Sequence, residues 1–167
     1  MIREKSSASA LEHNITAQFT QGVGDVQSPD VSYDGKKIVF SMRCPSTNTA
    51  MIGTVPACTG SWNIWEYDMT TGGLTGGTFR RLTSSGDDVE PTYLPAGRGY
   101  VFTSNRQTKS SVKQITSADG VVRSYKAQDE YERETVFNLH TMDAAGANIA
   151  QISFNQSHDR NPTVRQN

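Results

Sequence analysis

Short apolar runs recur along this chain, with more polar, glycine-rich turns between them. Lys37–Met42 and Tyr100–Ser104 are β-branched and aromatic, and each follows a glycine turn. Such runs read as half-buried strands. The same reading covers Trp62–Asp68, Phe79–Thr83, Val136–Met142 and Ile149–Ser153. Asp34-Gly35, Thr71-Gly72-Gly73 and Ala145-Gly146-Ala147 supply turns between them, since glycine adopts positive φ at no steric cost. No stretch carries a convincing helical period. Gln128–Glu134 comes nearest and is too polar to bury a face.

The strands recur in a fixed order. Ser28-Pro29-Asp30-Val31-Ser32-Tyr33-Asp34-Gly35 leads to Ile38-Val39-Phe40 and Arg43. Glu90-Pro91-Thr92-Tyr93 leads to Tyr100-Val101-Phe102 and Arg106. Pro29 and Pro91 stand 62 residues apart, as do Phe40 and Phe102. A third copy begins at Asn161-Pro162-Thr163-Val164, expected to be the first strand of another repeat. Asn63–Asp68 matches Asn138–Asp143, and Arg80-Arg81-Leu82-Thr83 matches Ala150-Gln151-Ile152-Ser153. Four short antiparallel strands followed by the same four again describe the blades of a β-propeller. The expected fold is all-β: a partial propeller of about two four-stranded blades over residues 24–167, preceded by an irregular segment 1–23. Long insertions, Cys44 to Ser61 and Gln107 to Glu134, fall at the same place in each blade. A propeller closes with four to eight blades, so the chain is expected to belong to a longer protein or to associate.

The repeat resembles that of TolB-like propellers, approximately Pro-x-x-Ser-x-Asp-Gly-Lys-x-Ile-x-Phe-x-Ser-x-Arg, which Pro29 to Arg43 follows closely. A narrower resemblance is to hydrazine synthase alpha-subunit-related proteins. Trp62–Asp68, Tyr93-Leu94-Pro95, Val101–Arg106 and Gln151–Asp159 carry it. The resemblance implies an exported bacterial protein, periplasmic or extracellular, with the propeller acting as a binding or scaffold module. The alternative it implies is the propeller portion of a multihaem redox enzyme. Ala96 departs from the repeat, which has Asp there. The Cys-x-x-Cys-His haem motif of that family is absent, so any haem would belong to sequence outside this chain, and no cofactor is expected within it.

Net charge is −1, without the basic excess of a nucleic-acid surface. No apolar run approaches the roughly 20 residues of a membrane span, and residues 1–10 do not form a signal peptide. The expected partners are therefore the remainder of a longer propeller protein or other proteins. Cys44 and Cys58 flank a loop rich in Pro, Ser, Thr and Gly. They are either a disulfide of an oxidising compartment or two free thiols. The disulfide is expected, since it alone explains a pair at the two ends of one insertion.

No nucleophile elbow or phosphate-binding loop occurs, and no catalytic residue is assigned. Asp88 and Asp159 precede the repeat prolines Pro91 and Pro162, where carboxylates would suit calcium. A residue that recurs once per blade is more often structural. Asp88 is thus expected to serve the fold, with Arg106 pairing a carboxylate of Asp87–Glu90. Arg43 is expected to play the same part in the first blade, beside Pro29, Asp34 and Gly35. Of the three histidines, His13 and His140 lie apart from His158, and no three-ligand zinc cluster is visible. Trp62, Trp65, Tyr67, Tyr93, Tyr100 and Phe102 are either an aromatic platform for a ligand or packing between blades.

Overall fold

A computed structural model of the protein describes residues 1–109, 114–116, 118–120, 122–124, 126–131 and 134–165. Parts of the 107–134 insertion therefore lie outside the described residues. The fold is all-β, built on two four-stranded antiparallel sheets. Sheet 1 is a meander of β1 (Asp25–Val31), β2 (Lys37–Arg43), β3 (Trp62–Asp68) and β4 (Thr78–Arg81). Sheet 2 repeats it with β5 (Asp88–Tyr93), β6 (Tyr100–Ser104), β7 (Asn138–Met142) and β8 (Ala150–Gln151).

The register follows from the turns. Asp34 accepts from the Ser32 hydroxyl at 2.7 Å and the Lys36 amide at 3.1 Å, so β1 and β2 meet with Val31 opposite Ile38. In sheet 2 Ala96 replaces that aspartate. There the Leu94 amide donates to the Gly99 carbonyl at 2.8 Å, and Gly99 has φ +109°. A Cβ at Gly99 would lie 2.1 Å from the Met142 carbonyl oxygen, so only glycine lets β6 pass this close to the end of β7.

Ser28, Glu90 and Asn161 each precede a repeat proline, and each is left-handed, with φ of 52°, 56° and 54°. The proline ring disfavours helical ψ in the residue before it, and a non-glycine residue at positive φ costs about 1 kcal/mol or more. In β1 and β5 the irregularity falls where the register to the next strand shifts, which marks a bulge repeated with the sequence. Asn161 shares that conformation, but residues 161–164 form no strand. Instead Thr92 and Glu90 hold them, the Thr92 hydroxyl donating to the Pro162 carbonyl at 3.2 Å and the Asn161 amide to Glu90 Oε2 at 2.7 Å.

Alternation gives each sheet two faces. On sheet 1, Val39, Ile64 and Leu82 form a front face that packs against Tyr93, Tyr100, Phe102 and Met142 of sheet 2. Its back face carries Phe40, Trp65 and Tyr67. Segment 1–23, expected to be irregular, covers that back face. Ile2–Arg3 pairs with Glu12–His13, and α1 (Ala17–Thr20) presents Phe19. The Phe19 ring sits 4.9 Å from Trp65 and 5.0 Å from Phe79. Cys44 is bonded to Cys58, with Cα atoms 5.3 Å apart, and both cysteines join the same core. A loop of about 15 residues closed this way is stabilised by roughly 3 kcal/mol in the chain-entropy model. No described helix is long and apolar enough to cross a membrane.

Candidate functional site

A cavity of about 320 Å³ opens between the two sheets, beside the β1–β2 and β5–β6 turns. Its volume is at the lower end for small-molecule sites. Its floor is built by strand alternation. In β3 the sequence Trp62-Asn63-Ile64-Trp65-Glu66-Tyr67-Asp68 sends Trp65 and Tyr67 to the back core and Ile64 to the front core. Glu66 shares the front face with Ile64 and is only 3 % exposed. Its cross-strand neighbour is Arg80 on β4, and Lys37 and Asp68 face each other beside it.

Sheet 2 supplies the opposing wall. Tyr93 and Tyr100 donate their hydroxyls to Glu66 Oε2 at 3.0 and 2.6 Å. Arg80 Nη2 donates to Glu66 Oε1 at 2.9 Å, to the Tyr100 hydroxyl at 3.2 Å and to the Ala144 carbonyl at 2.9 Å. Lys37 Nζ lies 3.6 Å from Glu66 and 3.1 Å from Asp68. Burying a carboxylate is costly unless donors replace its water, and here three hydrogen-bond donors do, with the Lys37 ammonium beside them.

The electrostatics follow. Burial, reinforced by the Glu66 carboxylate, pushes both tyrosine hydroxyls well above their ordinary range. They stay protonated donors at any physiological pH. The Thr70 hydroxyl and amide, then Lys37, lower Asp68 to about 2, and Asp68 in turn raises Lys37. A buried carboxylate held by three donors and two cations makes a poor general base. The chemistry this floor offers is binding: tyrosine rings, a fixed negative centre, and a half-exposed guanidinium at the rim.

The residues singled out from the sequence fall elsewhere. Asp88 is fully buried and pairs with Arg106, whose Nε donates at 3.1 Å and whose Nη2 also contacts it. Burial pushes its carboxyl up, against the pull of Arg106, Ser104 and Thr83. Arg106 Nη2 also donates to the Ser85 carbonyl at 2.6 Å. Asp159 accepts from Asn155 Nδ2 at 2.6 Å. The two aspartates thus serve different partners. Among the described residues no group of three or more His, Cys, Asp and Glu side chains could hold a metal ion.

Arg43 does not repeat the part of Arg106. It stacks over Trp62 at 5.5 Å, and among the described residues it pairs with no carboxylate. The reason lies one strand away, where Val26, 40 % exposed, occupies the place that Asp88 holds in sheet 2. Pro29, Pro91 and Pro162 line a shared groove. His158 accepts from the Phe137 amide at 3.1 Å, as Asp87 accepts from the Trp62 amide at 3.1 Å, so it fills a recurring backbone-anchoring place. His140 is buried, with Nδ1 2.9 Å from the Asn138 carbonyl and Nε2 accepting from the Thr108 amide at 3.3 Å. His13 lies apart, 3.1 Å from Glu4. Of the aromatics, Trp65, Tyr67 and Phe102 are core, and Tyr93 and Tyr100 alone join the cleft's polar floor.

Glu66, Arg80 and Lys37 lie in strands that the repeat locates, but no functional motif singles them out. The signal that points to them is alternation: a charged residue two positions from Ile64 must share its buried face. The chain matches no protein-family model, and no curated protein matches it.

Proposed function

We propose that the chain supplies two adjacent blades of a TolB-like β-propeller in an exported protein and works there as a binding or scaffold module, with the Glu66 cleft as its ligand-facing feature. One observation carries the reading: the two sheets reuse the same junction between third and fourth strands. The Leu82 amide donates to the Ile64 carbonyl at 2.8 Å, and the Ile152 amide to the Leu139 carbonyl at 2.8 Å. The Ile64 amide donates to the Thr83 hydroxyl at 2.9 Å, and the Leu139 amide to the Ser153 hydroxyl at 2.8 Å. Packing of one meander's front face on the next, with a third proline segment seated beyond, supports the stacking of a radial repeat.

The buried Cys44–Cys58 bond supports an oxidising compartment, periplasmic or extracellular. Binding is favoured by the cleft's contents, since a carboxylate engaged by three donors and two neutral tyrosines hold a surface without reacting. A crystal structure of the product of the whole gene tests the proposal. Sheets 1 and 2 should lie side by side around an axis with at least two further four-stranded sheets. A closed two-sheet sandwich with no such axis would overturn it.

A further inference from the structure

The side chains that set the character of the Glu66 cleft do not recur. Tyr33, Lys37, Glu66 and Arg80 stand where the second repeat has Pro95, Gly99, Thr141 and Ala150. A side chain that the strand frame itself requires is found in both copies, as Pro29 returns in Pro91 and Phe40 in Phe102. These four are found once, and all four line one cavity. Its walls come from the facing surfaces of sheets 1 and 2, so the cavity does not depend on what covers the outer faces of the pair.

Glu66 is consumed by the fold, but the cations around it are not. Arg80 meets Glu66, Tyr100 and Ala144 through Nη2 alone. Among the described residues its Nε and Nη1 donors meet no acceptor, and its side chain is 43 % exposed. Lys37 is the second cation on Glu66, partly exposed and held in its charged form by Asp68. A guanidinium with open donors suits a carboxylate or a phosphate. Glu66 and Asp34 in the same lining repel a second negative charge, which selects a carboxylate over a dianionic phosphate. The rest of the lining is aromatic or apolar. The Tyr93 and Tyr100 rings lie 5.2 Å apart, and Leu94, Ala96 and the half-exposed Tyr33 complete it.

We propose that the cleft takes a monoanionic carboxylate whose aromatic or apolar body is about the size of one amino-acid side chain, with the carboxylate on Arg80 and the body against Tyr33 and Leu94. A free acid and the C-terminal residue of a peptide share this chemistry. The inference rests on the reading of the Glu66 cleft as ligand-facing and names what it faces.

Backbone amide shifts of the isotope-labelled protein test it. Probes are titrated to about 10 mM, above the roughly millimolar affinity open to ligands of this size. N-acetylphenylalanine should move the amides of Tyr33, Arg80, Leu94 and Ala96. It should bind at least about tenfold more tightly than N-acetylphenylalaninamide, which lacks the charge. Gly-Gly-Phe reads the source: binding as tight as the acid or tighter assigns a chain end, weaker binding at the same amides assigns a free acid, and either supports the proposal. Arg80→Gln, with native circular dichroism retained, should bring the acid down to the affinity of the amide. Equal binding of acid and amide overturns the proposal while leaving the cleft a ligand site. No shift at the cleft with any probe also overturns it, and the propeller reading is then decided separately by the sheets counted around an axis in the whole-gene product. Wild-type affinity for the acid in folded Arg80→Gln overturns it as well. If Arg80→Gln loses its native spectrum, the comparison of acid with amide on the wild-type protein decides alone.

Discussion

Sheets 1 and 2 share strand order, register and junctions, yet they handle charge in opposite places. Sheet 1 carries Glu66 at the third-strand position where sheet 2 has Thr141, and the carboxylate ties three hydrogen-bond donors from both sheets into one inter-sheet link beside Lys37. Sheet 2 carries Asp88 at the first-strand position where sheet 1 has Val26, and Arg106 pairs with it from just beyond β6. The backbone frame is common property, while each buried charge is local. A repeat fixes where strands go, and single substitutions on it decide which interface becomes polar.

Four perturbations break or sharpen that contrast. Arg106→Ala should have the largest effect, a loss of about 3–5 kcal/mol in urea denaturation, because it strands a buried carboxylate. Arg43→Ala should cost about 1 kcal/mol or less, the worth of an exposed cation–π contact. Equal losses would show that the two arginines are equivalent after all.

The histidine on β7 gives the next effect. Burial lowers His140 from 6.5 to about 4, and its hydrogen bonds fix the neutral ring. As pH falls, the unfolded chain takes up the proton first. Stability from this group is therefore complete above about pH 6.5 and drains between there and pH 4, by on the order of 3 kcal/mol at most. His140→Phe should flatten the stability profile in that window. An unchanged slope there would assign the dependence to other groups. The equivalent place in sheet 1 is Trp65, which has no such titration.

Glu66→Ala should cost about 2–3 kcal/mol, since it leaves two buried tyrosine hydroxyls without an acceptor. Thr141→Ala should cost less than about 1 kcal/mol. Chemical denaturation of the pair reads the difference directly, and equal costs would remove Glu66 from its special place. The smallest effect belongs to the left-handed bulges. Ser28→Gly should change stability by no more than about 1 kcal/mol, because relief of strain offsets the added freedom of the unfolded chain. Ser28→Val should lose more, about 1–3 kcal/mol, and thermal melts of the two variants compare them.

Much of this was legible along the chain. Short β-branched and aromatic runs between glycine turns locate β2, β3 and β6 within a residue, because a strand buried on both faces reads as a nearly unbroken apolar run. β4 and β8 end earlier than the apolar pattern does, at Arg81 and Gln151. Beyond those points Thr83 and Ser153 hydroxyls, in place of backbone carbonyls, take the third strand's amides. The packing of segment 1–23 on the back face was illegible, since Ile2, Ile15 and Phe19 stand scattered in a polar segment with no period. The cysteines stood at the ends of one insertion with two readings open. A Cα separation of 5.3 Å lies within disulfide reach.

By itself the sequence determined the all-β class, the order of the strands and the repeat at 62 residues, because these depend on short apolar runs and on glycine and proline at fixed places. The tertiary structure decided which side chains meet. Glu66 finds Tyr93 and Tyr100 27 and 34 residues away, and Phe19 finds Trp65 across a sheet face. Those meetings depend on how two faces stack, and stacking is set by the summed shape and desolvation of many side chains, which no local pattern encodes.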